Sequence, residues 1–170
     1  MLYTVVVGVV ALERLAELVV SRRNARWSFA RGGVETGAGH YPAMVFLHTG
    51  LLLACLGEVW LGQRPFLPTL GWTAIAVVVL AQALRWWCIA SLGQHWNTRV
   101  IVVPGARLVT RGPYRLLRHP NYVAVVVEGL ALPLVHSAWW TALTFTALNA
   151  ALLAVRIRTE EAALAAAAHG

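Results

Sequence analysis

Side chains able to do chemistry gather at two places in this sequence. The first is the run over residues 104–122, which holds Arg107, Arg111, Arg115, Arg118 and His119 in a chain dominated by Ala, Leu and Val. Gly112, Pro113 and Pro120 punctuate it too heavily for one plain helix. The second place is Arg156, Arg158, Glu160 and Glu161, near the C-terminal end. On a continuing helix Arg156 and Glu160 are i,i+4 neighbours, and Glu161 lies beside Glu160 around the axis. Taken singly, these residues have plain structural readings. Arg156 with Glu160 is a surface ion pair, His119 a structural interface histidine, and Tyr114 and Tyr122 are interface aromatics. Taken together, Arg118, His119, Tyr122, Arg156 and Glu160 can converge at one helix-hairpin mouth. Backbone donors around Gly112, a cationic rim and two carboxylates then suit a zwitterionic ligand beside an apolar one.

Other chemistries find little support. No two histidines share an i,i+4 helical face near a carboxylate, so no metal is expected. Cys55 and Cys88 sit inside apolar runs without a partner at ligand spacing and read as small buried hydrophobes. The basic loops contain no Gly-x-Ser-x-Gly and no cysteine, which argues against nucleophilic hydrolysis. Gly32, Gly33, Gly37 and Gly39 follow no strand and precede no Lys-Ser or Lys-Thr, so they read as a flexible connector.

The elements that must position these residues are membrane helices. The chain is 59% hydrophobic and only 12% charged, against roughly 25% charged for a soluble domain. Its net charge of +7 comes from arginines in loops flanking apolar runs, which suits anionic headgroups better than nucleic acid. Every base is Arg and every acid Glu, a bias that points to a GC-rich bacterial genome and so to the bacterial cytoplasmic membrane. Residues 1–170 read as a single all-α membrane domain of about five transmembrane helices, over 2–20, 42–61, 69–90, 121–135 and 139–155. The last two form a short hairpin, and 91–120 forms a cytoplasmic loop.

The N-terminus is apolar from Leu2, with Arg22, Arg23 and Arg26 behind it, the order of a retained anchor and not of a cleaved signal. Glu13, Arg14 and Glu17 lie within about one turn and can partly neutralise one another near the interface. Trp60, Trp72, Trp86 and Trp87 suit aromatic belts. Loop 21–41 holds four arginines and loop 91–120 five, against one in 62–68 and none in 133–138. Positive-inside bias then puts both basic loops and the C-terminus in the cytoplasm and the N-terminus outside.

The residues of the two clusters also resemble a known family. Leu108-Val109-Thr110-Arg111-Gly112-Pro113-Tyr114-Arg115, then Arg118-His119-Pro120-Asn121-Tyr122, then Arg156 with Glu160-Glu161, look like the isoprenylcysteine carboxyl methyltransferase family. That family groups with the phospholipid methyltransferases. The similarity covers about residues 42–164, and Arg-His-Pro-x-Tyr is its sharpest part. It implies a small integral membrane methyltransferase that uses S-adenosyl-L-methionine and releases S-adenosyl-L-homocysteine. The C-terminal half, and not a soluble Rossmann domain, would hold the cofactor. Consistently, no Gly-x-Gly-x-x-Gly follows a strand.

Carried over by motif, Leu108, Gly112, Tyr114, Arg118, His119, Pro120 and Tyr122 line the cofactor pocket, and Glu160 and Glu161 close it. Arg156 faces the acceptor and, with Glu160, forms the catalytic pair. This chain has Ala124 where many members carry Gly, and Ala106 where many carry His. The expected partners are a lipophilic small-molecule acceptor and membrane lipid, with no nucleic acid and no obligate protein partner. The acceptor oxygen belongs to a carboxylate or a phenolic lipid. The competing reading is a membrane scaffold or small transporter, with Glu58, Arg85 and Glu128 marking a solute path.

Overall fold

The computed structural model describes residues 1–169. Its elements run α1 (Leu2–Phe29), β1 (Val34–Thr36), α2 (Tyr41–Leu61), α3 (Pro68–Leu92), β2 (Val100–Val102), α4 (Pro120–Leu134) and α5 (Trp139–His169). Proline opens α2, α3 and α4, where its missing N–H and fixed φ match the first helical turn. Helices α2, α3 and α5 are long and apolar enough to cross a bilayer, which makes this an integral membrane protein. Helix α1 is as long but holds Glu13, Arg14 and Glu17 in its apolar stretch. Helix α4 has 15 residues, about 22 Å of rise against roughly 30 Å of hydrocarbon. The outer faces are oily, with Phe46, Leu53, Val79, Leu80 and Leu143 all exposed. So large an apolar surface suits lipid and not water.

Two features differ from the sequence reading. The expected first span, 2–20, is the front part of a helix that continues through Arg22, Arg23 and Arg26 to Phe29. The glycine-bearing stretch after α1 is also no flexible connector. Val34–Thr36 pairs antiparallel with Val100–Val102, so the all-α expectation gains a two-stranded sheet joining both basic loops. The strands are mostly β-branched, and Arg99 pairs with Glu35 across them. The register was hidden because each strand is three residues long and too short for periodicity to detect.

The polar residues of the helices find one another inside the bundle. Glu17, 2% exposed, accepts from Arg85 Nη2 at 2.6 Å and Arg14 Nη1 at 2.7 Å. Arg14 also pairs with Glu128, and Gln82 donates to Glu13. Pairing offsets the desolvation that a lone charge would suffer there. The network thus ties α1 to α3 and α4, a wider role than mutual neutralisation along α1. Glu58 sits at the opposite end of the bundle. It accepts from the Thr141 backbone N–H at 2.7 Å and pairs with Arg64 at 2.9 Å, capping the start of α5. Helices α4 and α5 close tightly on each other: a Cβ on Gly129 would lie 2.0 Å from Phe145.

Candidate functional site

The site forms where the start of α4 meets the last turns of α5. His119 precedes Pro120, so α4 begins there and places Tyr122 in its first turn, facing inward. Arg156 Nε donates to the Tyr122 hydroxyl at 2.9 Å, and that hydroxyl donates to Glu160. Arg156 is 6% exposed. Its other nitrogens reach the Thr98 carbonyl at 2.6 Å and the Met44 sulfur at 2.8 Å. This guanidinium is therefore held by α2, α4 and the segment before β2 together. The bland expectation of a surface ion pair with Glu160 gives way to a buried arginine linked to that glutamate through a tyrosine.

His119 stacks on Tyr122, with ring centroids 5.5 Å apart and planes 25° from parallel. Its Nε2 lies 3.3 Å from Glu161 and its Nδ1 4.0 Å from Glu160. Arg118 approaches Glu161 at 4.0 Å from an otherwise solvated position, its side chain 90% exposed. Glu160 is part buried and Glu161 exposed, so the cluster opens outward as a mouth with two carboxylates on its lip.

The remaining motif residues divide. Tyr114 lies in a 3-10 turn over Gly112–Arg115 that packs beneath α3. Burial, then the neighbouring Cys88 thiol, pushes its phenol above the ordinary range. Gly112 has φ 59°, and a Cβ there would lie 2.2 Å from Ser91 Oγ. Together with the Arg111 Nε bond to the Ser91 carbonyl at 3.1 Å, it seats the loop on α3. Pro120 is buried at the head of α4. Leu108 is 69% exposed on the loop.

Behind Tyr122 and Arg156 lies a cavity of about 140 Å³ within the bundle. Leu52, Val125 and Leu153 give it apolar walls, while His48, Asn121 and Asn149 add polar ones. Arg14, Glu17 and Arg85 reach it from the buried network. Thr98, Met44 and Asn149 were missed in the sequence, and Asn121 was read only as part of the motif. Thr98 acts through a backbone carbonyl, which leaves no side-chain signal, but Asn149 was findable as a lone amide in an apolar run. Among the described residues no cluster of His, Cys, Asp or Glu is arranged to hold a metal ion.

The donor set can hold a zwitterionic ligand. Two carboxylates can take an ammonium or ribose hydroxyls, and the stacked His119 and Tyr122 rings offer π-faces to a cationic centre. Fold and site together define a helical membrane protein whose polar mouth opens onto a cavity between its helices. Residues 74–166 match the isoprenylcysteine carboxyl methyltransferase (ICMT) family, and the chain belongs to that family, which implies a membrane methyltransferase. It is 39% identical over 164 residues to an uncharacterized protein, YpbQ, of Bacillus subtilis, covering 96% of both chains. An uncharacterized protein of Haemophilus influenzae is 26% identical over 152 residues, 89% of this chain and 88% of its own.

Proposed function

We propose that the protein is an S-adenosyl-L-methionine-dependent O-methyltransferase acting on a lipophilic acceptor, a carboxylate of isoprenylcysteine type or a phenolic lipid. The observation that carries this reading is the Arg156–Tyr122–Glu160 chain of hydrogen bonds, which joins the two family motifs at the mouth of a cavity between the helices. The mouth takes the cofactor from the water side, through Glu160, Glu161, His119 and the Tyr122 ring. The acceptor enters from the bilayer and puts its polar end in the cavity. The arginine count of the loops makes the water side the cytoplasm, with the N-terminus outside.

When bound, S-adenosyl-L-methionine supplies a methyl group already activated on a sulfonium. The protein's task is then mostly alignment and exclusion of water, which is worth several kcal/mol of barrier. Arg156, fixed by Thr98, Met44 and Tyr122, orients and neutralises an acceptor oxyanion. A carboxylate arrives ionised at neutral pH. A phenol, with an ordinary pKa of about 10, passes its proton to His119 or Glu160.

The test is binding of labelled cofactor to the detergent-purified chain and to Glu160→Gln. Binding by the parent and at least about tenfold weaker binding by the variant, some 1.4 kcal/mol, is expected for loss of one charged contact. A parent that binds nothing sinks the enzyme reading. A variant that binds as well as the parent sinks the role given to Glu160.

A further inference from the structure

Eight buried side-chain nitrogen and oxygen atoms have no hydrogen-bond partner among the described residues, and four of them belong to residues that line the cavity behind Tyr122. They are Arg85 Nη1, Trp96 Nε1, Asn121 Oδ1 and Asn149 Oδ1. Folded proteins seldom leave such atoms unpaired; each is shut off from open space as the side chains stand, and their gathering on residues around one cavity points to an occupant whose polar atoms they turn to meet. Two are donors and two are acceptors, so the matching group both accepts and donates hydrogen bonds. The aliphatic walls, Leu52, Val125 and Leu153, require that this group sit on an apolar body.

Asn149 is the most telling of the four. It is 1% exposed and stands seven residues before Arg156 on α5, on the same helical face and about 10 Å deeper along the axis. Side chains on a helix lean toward its N-terminus, so Arg156 reaches back along that face toward Asn149. Glu17, Met44, His48 and Leu52 close the cavity opposite α5, and all precede residue 74, where the family match begins. The pocket's shape is therefore set largely by parts of the chain that the family motifs do not describe.

We infer that Asn149 determines acceptor specificity: its amide accepts a hydrogen bond from an O–H or N–H several ångströms from the oxygen that Arg156 orients. The chain thus selects lipids whose head carries a hydrogen-bond donor beside the reacting oxyanion. This rests on the methyltransferase reading above and narrows it. A hydroxyl on an aromatic head and the amide N–H of an acylated amino acid both offer that donor. A site that pairs such a group discriminates against an analogue lacking it, because its own amide is then left bare.

Two probe pairs separate the sources: N-acetyl-S-farnesylcysteine against S-farnesylthiopropionic acid, which lacks the amide, and a long-chain alkyl dihydroxybenzene against the corresponding alkylphenol. The parent chain is expected to prefer the donor-bearing member of at least one pair by about tenfold or more in kcat/KM. Asn149→Leu should erase that preference, chiefly through KM. Its labelled-cofactor affinity should be unchanged and its thermal midpoint equal or higher, because an unpartnered buried amide has been removed. If the leucine variant does not purify folded, Asn149→Ala removes the same amide.

A variant that keeps the parent's preference overturns the inference. So does one that loses cofactor binding, since the cavity would then belong to the cofactor. A parent that binds cofactor yet shows no preference within either pair, or methylates none of the four, overturns it as well. Failure of the parent to bind cofactor at all defeats the enzyme reading itself, and the two failures are thereby told apart.

Discussion

Arg156 and Tyr122, 34 residues apart in the chain, meet through a 2.9 Å hydrogen bond from the guanidinium Nε to the phenol oxygen. The same hydroxyl donates to Glu160, so one tyrosine links a buried cation to a carboxylate at the water's edge. Tyr122→Phe keeps the ring and its stacking on His119 but removes that link. The variant should fold, and its affinity for labelled cofactor should fall about tenfold, the worth of a charge-assisted bond. Calorimetric titration of the purified variant measures this. Equal affinity in parent and variant would remove the hydroxyl from the site.

Arg156 serves three elements at once, through Tyr122, Thr98 and Met44. A lysine keeps the charge but has a single nitrogen and no planar fork. Arg156→Lys should therefore lower methyl transfer into a membrane lipid extract about ten- to a hundredfold, at roughly 1.36 kcal/mol per factor of ten. Cofactor affinity should change much less, because the role proposed for the guanidinium is on the acceptor side. A larger loss of binding than of transfer would contradict that placement.

The pair between Glu17 and Arg85 lies in the interior with Arg14 beside it. Removing one partner strands the other charge, which costs about 3–5 kcal/mol. Glu17→Gln should lower the thermal midpoint in detergent markedly. Glu17→Gln combined with Arg85→Gln should recover part of the loss. If the double variant is no more stable than the single one, the two charges are not coupled as described.

Gly112 occupies a left-handed backbone conformation and presses on Ser91. Gly112→Ala adds about 1–2 kcal/mol of backbone strain and a clash, so the turn should lift from α3. Limited trypsin digestion should then cut faster after Arg111 and Arg115 while the helices stay intact. An unchanged digestion rate would show that the loop does not need the glycine to stay seated.

The pH dependence of transfer distinguishes the two acceptor classes. A carboxylate with an ordinary pKa near 4 is fully ionised above about pH 6, so its rate is flat from there upward. A phenol near 10 must lose its proton, so its rate rises with pH until the base that receives the proton is itself deprotonated. A rate that still rises above about pH 6 with the natural lipid extract would rule out the carboxylate.

Much was legible in the residues alone. The apolar runs predicted membrane helices because backbone polar groups in hydrocarbon must be satisfied within the segment. The Arg-His-Pro-Asn-Tyr corner and the Arg156, Glu160, Glu161 cluster were visible as chemistry because charged side chains are conspicuous in so apolar a chain. The i,i+4 relation of Arg156 and Glu160 on one helix came from helical geometry alone. The continuation of α1 to Phe29 and the pairing of Val34–Thr36 with Val100–Val102 were not legible, since three-residue strands leave no period to read.

What the sequence determined by itself was composition-borne: the membrane class, the helices that carry the motifs, and the residue types available for chemistry. What only the tertiary structure decided was which of those side chains are joined and which are buried. Glu17 found Arg85 on another helix, Arg156 found a backbone carbonyl at Thr98, and Asn149 came to line a cavity with no hydrogen-bond partner for its amide oxygen among the described residues. The physical reason is that hydropathy and periodicity are properties of a local stretch, whereas satisfaction of a buried polar group depends on whatever distant element packs against it.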